Sequence, residues 1–259
     1  MMQAELCERI ATTLKSGAPI HDHLGYEALA YLKLPGPDYL TALRALHATL
    51  KPELYVEIGT RRGQSLALAL PETRCVAIDP FAQVDPRPKT MVANARSDDF
   101  FAIAYNRDKC RGFDLAFIDG DHSFEQVARD FHHLEDLAKP SSIICLHDVI
   151  PMDARTAQPK AETSFHTGDV WRLMRAIVAS RPDLIAFTIA CPPSGLGVVG
   201  RFSRVDGLVG NDRHPVTHEQ VEEFATAPFP STWDEQVKVL NIVPNTAGAI
   251  LQAFAEKAA

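Results

Sequence analysis

Between residues 54 and 148 one figure recurs: a short, mostly apolar run that stops on a glycine, an acid or a histidine. Leu54-Tyr55-Val56-Glu57-Ile58 stops at Gly59, and Cys75-Val76-Ala77-Ile78 at Asp79. Asp114-Leu115-Ala116-Phe117-Ile118 stops at Asp119, and Ser142-Ile143-Ile144-Cys145-Leu146 at His147-Asp148. Runs that are apolar on consecutive positions suit strands buried on both faces, as in parallel sheets sandwiched between helices. Helices are expected between them: one through Leu66, Leu68 and Leu70, one from Ser123 to Lys139, and one from Asp169 to Ser180. Ser123 is a candidate N-cap, with Gln126 at the spacing of a capping box. Two further strands are expected at Leu184 to Ala190 and Gly197 to Phe202. The pattern predicts an α/β fold, doubly wound and Rossmann-like, with a mainly parallel sheet. In such sheets ligands bind beyond the carboxyl ends of the strands, so the residues that close the runs are the first functional candidates.

The flanks read differently. Residues 1–50 form a helical segment: Leu6, Ile10 and Leu14 recur every four positions, and Leu40, Leu43, Leu46 and Leu50 share a face. Turns are expected at Ser16-Gly17-Ala18-Pro19 and Pro35-Gly36-Pro37. The expected organisation is 1–50 helical, 51–205 ligand-binding domain, and 206–259 C-terminal extension. In that extension Trp233, Val237, Leu240, Ile242 and Val243 suggest a helix packing on the domain or on a second subunit. A homodimer is consistent with the apolar stretches at both ends.

Charge and cysteine content narrow the partners. With 26 basic against 33 acidic residues the net charge is −7. There is no basic stripe to neutralise phosphates, so nucleic acid is not an expected partner. The five cysteines are scattered without a CxxC pair, which points to reduced core thiols rather than disulfides or a zinc site. No apolar run approaches the ~20 residues of a membrane span. The N-terminal stretch has early acids and no apolar block, so the cytoplasm is the expected location.

Four clusters at the run ends carry chemistry. Glu57-Ile58-Gly59-Thr60-Arg61-Arg62-Gly63 lacks the glycine spacing of a pyrophosphate turn, and its carboxylate suits a cationic ligand. Its glycines are expected to let backbone approach that ligand. Asp79, about 20 residues on, is placed to accept from ribose hydroxyls; otherwise it is a solvated strand end. Asp119-Gly120-Asp121-His122 groups two acids and a histidine that packing alone does not explain, with His122 a candidate general base. The blander reading is that His122 only starts the next helix. His147-Asp148 ends what would be the adjacent strand, so Asp119 and Asp148 are expected to converge, on a substrate hydroxyl or on a divalent ion.

Together these segments resemble the class I S-adenosylmethionine-dependent methyltransferases, specifically the methyltransferase domain 24 family. The resemblance spans roughly residues 50–205. It rests on Val56-Glu57-Ile58-Gly59 with Gly63, Ile78-Asp79-Pro80, Ser97-Asp98-Asp99-Phe100-Phe101, Phe113 to Gly120 with His122, His147-Asp148-Val149-Ile150-Pro151, and Thr167-Gly168-Asp169-Val170-Trp171. It implies that Glu57, Gly59, Thr60 and Gly63 wrap the methionine part of the cofactor, and that Asp79 holds the ribose. It also implies that Ser97 and Asp98 lie near the adenine. Asp119, His122, His147, Asp148 and Asp169 would line the transfer site, with His122 taking a proton and Asp148 orienting it. A divalent metal is allowed but not favoured, because His147 and Val149 flank Asp148 where metal-dependent relatives carry a further acid or amide. The implied acceptor is a hydroxyl on a small polar molecule such as a sugar or secondary metabolite. The rival readings are an NAD-dependent oxidoreductase or sugar-nucleotide enzyme, and a catalytically silent binding protein on the same fold.

Overall fold

A computed structural model of the protein describes residues 2–16, 22–85, 87–202 and 223–258. The expected turn at Gly17-Ala18-Pro19 and the boundary at 205/206 lie outside these residues. The strands are β1 (Leu54–Ile58), β2 (Arg74–Ile78), β3 (Thr90–Ala93), β4 (Leu115–Ile118), β5 (Ile143–Leu146), β6 (Ile185–Ile189), β7 (Leu196–Gly200) and β8 (Ile242–Val243). They form one sheet in the order β3-β2-β1-β4-β5-β7-β6-β8. Only β7 runs antiparallel, between β5 and β6, so the sheet is mainly parallel as the sequence predicts.

The helices are α1 (Met2–Ser16), α2 (Asp22–Lys33), α3 (Tyr39–Leu50), α4 (Ser97–Phe101), α5 (Ala104–Cys110), α6 (Phe124–Leu137), α7 (Trp171–Ser180), α8 (Trp233–Val239) and α9 (Ala247–Ala258). They bury the sheet on both faces. Val56, Val76 and Ile118 pack with Phe131 of α6 and Leu173 of α7. On the other face Tyr55, Phe117 and Phe187 pack with Leu43 of α3 and Ala253 of α9. This two-sided burial is why the strands read as unbroken apolar runs.

Register decides where the chemistry sits. Ile58 pairs with Ile78 on one side and Ile118 on the other, and Ile118 pairs with Leu146. The next residues therefore leave the sheet in one row: Asp79, Gly59, Asp119 and His147.

Local expectations fail in four places, each for a visible reason. The helix expected after β1 is a single 3-10 turn, Leu66–Leu68. Leucines two apart do not share a helical face, and Pro71 follows. The turn is held by the Arg87 guanidinium, which donates to the carbonyls of Leu66 and Ala69 at 2.6 and 3.0 Å. Strand β3 was not read, because Thr90-Met91-Val92-Ala93 is half-exposed at the sheet edge and lacks the apolar signature. The Ser123 capping box does not form: Gln126 turns inward, and the α6 entrance is capped from elsewhere in the chain. In the C-terminal region the expected helix splits. α8 ends at Val239, Asn241 takes a left-handed φ of 47°, and the β-branched pair Ile242-Val243 becomes β8 alongside β6.

Candidate active site

Asp119 leaves β4 and His147-Asp148 leaves β5, and their side chains meet. His147 Nδ1–H donates to Asp119 Oδ1 at 3.1 Å and stands 3.3 Å from Asp148 Oδ2. Its Nε2 faces the buried Ser194 hydroxyl at 3.3 Å. With both nitrogens engaged, His147 braces the two carboxylates. Asp148 adopts φ 58°, a left-handed conformation that few non-glycine residues take and that Asp tolerates better than most.

His122 completes the group from the loop after β4. Its Nε2 lies 3.2 Å from Asp148 Oδ2 and 3.8 Å from Asp119 Oδ1. Its Nδ1–H donates to the His166 carbonyl at 3.1 Å. That carbonyl fixes the tautomer, so the titrating atom is Nε2, facing the carboxylates. Ligand atoms of Asp119, His122 and Asp148 lie within 4.8 Å of one another, close enough to share a divalent ion.

Electrostatics here depart from the sequence expectation of a histidine near neutrality. Burial alone would lower the His122 pKa; the charges of Asp148 and Asp119 outweigh it and raise it to about 9. The same balance raises His147 well above its ordinary value. Burial would raise Asp119 and Asp148, but the imidazoliums hold both below the usual carboxylate range. The group is a quadrupole of two cations and two anions.

Asp169 is drawn in differently. Its Oδ1 accepts from the Phe124 N–H at 2.6 Å, and Oδ2 lies 3.3 Å from Arg172 Nε. It caps the N-terminus of α6, which a carboxylate stabilises, and so sets the loop that carries His122. Gly168 lets this happen: a Cβ there would stand 2.0 Å from the His122 carbonyl oxygen. Asp169 is therefore a positioning residue rather than a member of the reacting group.

The first turn is tightly built. Gly59 has φ 90°, and a Cβ on it would stand 2.0 Å from the Asp119 carbonyl oxygen. Its lack of a side chain lets the turn pack against the end of β4. Gly63 closes the turn, its N–H donating to the Thr60 carbonyl at 2.7 Å. Glu57 is not on an open rim. It is fully buried, accepts from the Tyr55 hydroxyl at 2.5 Å, and burial raises its pKa to about 7 against the pull of Tyr55, Ser65 and Thr60. Its Oε1 and the neighbouring Thr60 Oγ1 are buried and make no close, well-aligned hydrogen bond, although the Ser65 and Thr60 hydroxyls stand near the carboxylate.

Asp79 accepts from the Arg61 and Phe81 N–H groups at 2.8 and 2.6 Å. Phe81 beside it is 78% exposed, an unusual state for a phenylalanine. Ser97 and Asp98 form a separate cluster with α6. The Ser97 hydroxyl donates to buried Asp130 at 2.5 Å, and Asp98 faces Gln126, Arg129 and His133. The sequence reading also missed Tyr39, whose ring lies 4.0 Å from that of His147. A tyrosine at a helix start carries no such signal; only the fold brings it to the strand ends.

Residues 56–149 match the family model of a methyltransferase domain. Every candidate except Asp169 and Tyr39 lies within the matched segment. The family match does not favour an oxidoreductase. No curated protein matches the chain. Among solved structures, the O-methyltransferase TomG of Streptomyces achromogenes, involved in tomaymycin synthesis and in complex with SAM, is 18% identical. The alignment covers 68% of this chain and 88% of that one, with a TM-score of 0.47. An O-methyltransferase from Bacillus cereus in complex with SAH is 18% identical over 67% of this chain and 87% of that one, TM-score 0.45. The SAH-bound methyltransferase PaMTH1 of Podospora anserina is 13% identical over 76% and 95%, TM-score 0.48. Among the described residues no helix is long and apolar enough to cross a membrane.

The charges of this site predict a pH dependence of stability. His122, His147 and Glu57 rise on folding, so each contributes fully below its unfolded value, and the contribution is lost as pH climbs through the folded one, about 9 for His122 and about 7 for Glu57. Asp119 and Asp148 fall on folding, so they contribute above their ordinary range and lose that contribution in acid. The melting temperature is expected to peak between roughly pH 4 and 6 and to decline steadily toward pH 9. A series of melts that stays flat from pH 6 to 9 would contradict this charge arrangement.

Proposed function

We propose that this protein is an S-adenosylmethionine-dependent O-methyltransferase acting on a hydroxyl of a small polar molecule, such as a sugar or secondary metabolite. The observation that carries the reading is the meeting of Asp119, His122 and Asp148 at adjacent strand ends of a methyltransferase domain.

The residues present fit the cofactor. Glu57 Oε1 and Thr60 Oγ1 are buried without a close, well-aligned hydrogen bond, as a site awaiting an ammonium or hydroxyl would leave them. Asp79 uses one lone pair on each oxygen for backbone, which leaves acceptor capacity for ribose hydroxyls. Exposed Phe81 next to it offers an aromatic face to a base. Ser97 and Asp98 are assigned to the adenine side as part of the α6 cluster. When bound, S-adenosylmethionine supplies a methyl group already activated on a sulfonium.

The protein then has to align the acceptor and take its proton. His122 Nε2 is the group assigned to that proton, because Nδ1 is tied to the His166 carbonyl. Asp148 and Asp119 stabilise the resulting imidazolium, and His147 holds both carboxylates in place. A cationic ligand beside the carboxylates would offset their pull and lower the His122 pKa toward the range where Nε2 is free.

A second reading has a specific observation behind it: two carboxylates and an imidazole within 4.8 Å are a donor set for a divalent ion. The general-base reading is preferred because His147 Nδ1 already supplies positive charge to both carboxylates. Two measurements separate the readings. S-adenosylhomocysteine is expected to raise the melting temperature and NADH to leave it unchanged; the reverse would sink the methyltransferase reading, and no response to either would favour a silent binding protein. Methyl transfer is expected to survive exhaustive EDTA treatment. Loss of activity restored by Mg²⁺ or Mn²⁺ would reassign Asp119 and Asp148 as ligands of an essential ion. Cytoplasmic location and a homodimer remain part of the proposal, the latter testable by light scattering.

A further inference from the structure

Tyr39 has no role in the steps above, yet the fold holds it firmly at the site. Its ring centroid lies 4.0 Å from that of His147 and 6.2 Å from that of Phe117. Its backbone N–H donates to the Pro192 carbonyl at 3.0 Å. Strand β4, the end of β5 and the loop before β7 therefore all fix it. Asp119, Asp148 and Glu57 face the phenol from the strand ends, and Asp38 from its own turn. Burial first, and then these charges, drive its pKa far up, so the hydroxyl remains an O–H donor at any working pH. Among the described residues that hydroxyl makes no hydrogen bond, and the side chain is only partly buried, which leaves the hydroxyl open to a ligand.

The amino-acid chain of the cofactor carries an ammonium and a carboxylate. The ammonium suits the acid-lined turn, where Glu57 Oε1 makes no close, well-aligned hydrogen bond. The carboxylate would be repelled by Asp119 and Asp148 unless a donor meets it. The His122 and His147 nitrogens are already engaged, and the Thr60 hydroxyl lies beside Glu57. We propose that the Tyr39 hydroxyl donates to the amino-acid carboxylate of the cofactor, closing the α3 side of the pocket. This inference rests on the reading of the chain as an S-adenosylmethionine enzyme.

The test is calorimetric titration of wild type and Tyr39→Phe with S-adenosylhomocysteine and with S-adenosyl-3-thiopropylamine, its analogue lacking only the carboxylate. Phenylalanine keeps the ring on His147, so the melting temperature should not move. Tyr39→Phe is expected to weaken S-adenosylhomocysteine about tenfold, as for loss of a hydrogen bond to a charged group, and to leave the decarboxylated analogue within about twofold. Unchanged binding of S-adenosylhomocysteine, or equal weakening of both ligands, overturns the assignment. Wild type that binds neither ligand overturns the cofactor reading itself, and the assignment of Tyr39 with it.

Discussion

Replacing His122 with Gln is expected to lower kcat by about two to three orders of magnitude, the range for removing a positioned general base. Affinity for S-adenosylhomocysteine should stay within about threefold, because the side chain faces the acceptor side of the site rather than the first turn. The pH profile makes this more than a loss of function. In the free enzyme His122 is raised to about 9, and kcat/KM reports free-enzyme ionisations. The wild-type kcat/KM should therefore climb through neutrality toward an alkaline plateau. The Gln variant should lose that limb. Asp148→Asn removes the largest upward pull on His122 and should shift the limb to lower pH, even as it lowers the maximum. A limb that persists in His122→Gln would take the proton-accepting role away from this residue.

How much of this was legible in the sequence depends on which forces set each feature. The parallel strands could be read because burial on both faces writes itself into consecutive apolar residues, and the strand-end candidates followed from that alone. Asp119 and Asp148 were expected to converge, and the register that aligns Ile118 with Leu146 brings them together. Roles were less legible than places. Asp169 reads as one more site acid, but its carboxylate is used by the Phe124 N–H across 45 positions of sequence. His147 reads as one more residue lining the site, but both its nitrogens are engaged, one by Asp119 and the other facing Ser194 in the turn before β7. The pKa of His122 depends on two carboxylates and a carbonyl brought together by three separate segments. Edge strand β3 and the short turn after β1 were lost for a local reason: neither buries enough apolar surface to leave a periodic trace.

Gly59 and Gly168 offer the second large effect, and comparing them separates packing from positioning. In both, a Cβ would stand 2.0 Å from a backbone carbonyl oxygen, of Asp119 for Gly59 and of His122 for Gly168, and both have positive φ. The surroundings differ. Gly59 is locked between strand ends: its N–H donates to the Ile78 carbonyl at 2.8 Å, and Asp119 N–H donates to the Ile58 carbonyl at 2.8 Å. Neither side can retreat without breaking the centre of the sheet. Gly59→Ala should cost roughly 3–5 kcal/mol, which for a chain of this size lowers the melting temperature by roughly 10 °C or more, and S-adenosylhomocysteine binding should be lost with it. Gly168 lies in irregular chain between β5 and α7, off the sheet, but it is buried and would clash with the His122 backbone, so the segment has to move. Gly168→Ala should therefore cost more than about 1 kcal/mol, but less than Gly59→Ala, because no hydrogen bond of the sheet is broken. It should still bind S-adenosylhomocysteine and yet lose methyl transfer by about a hundredfold, because moving the loop withdraws the Asp169 cap and the His166 carbonyl that orient His122. If Gly168→Ala retains full turnover, the orientation of His122 does not depend on that loop, and the tautomer argument for Nε2 fails. If Gly59→Ala folds and binds normally, the turn is not pressed against β4 as described.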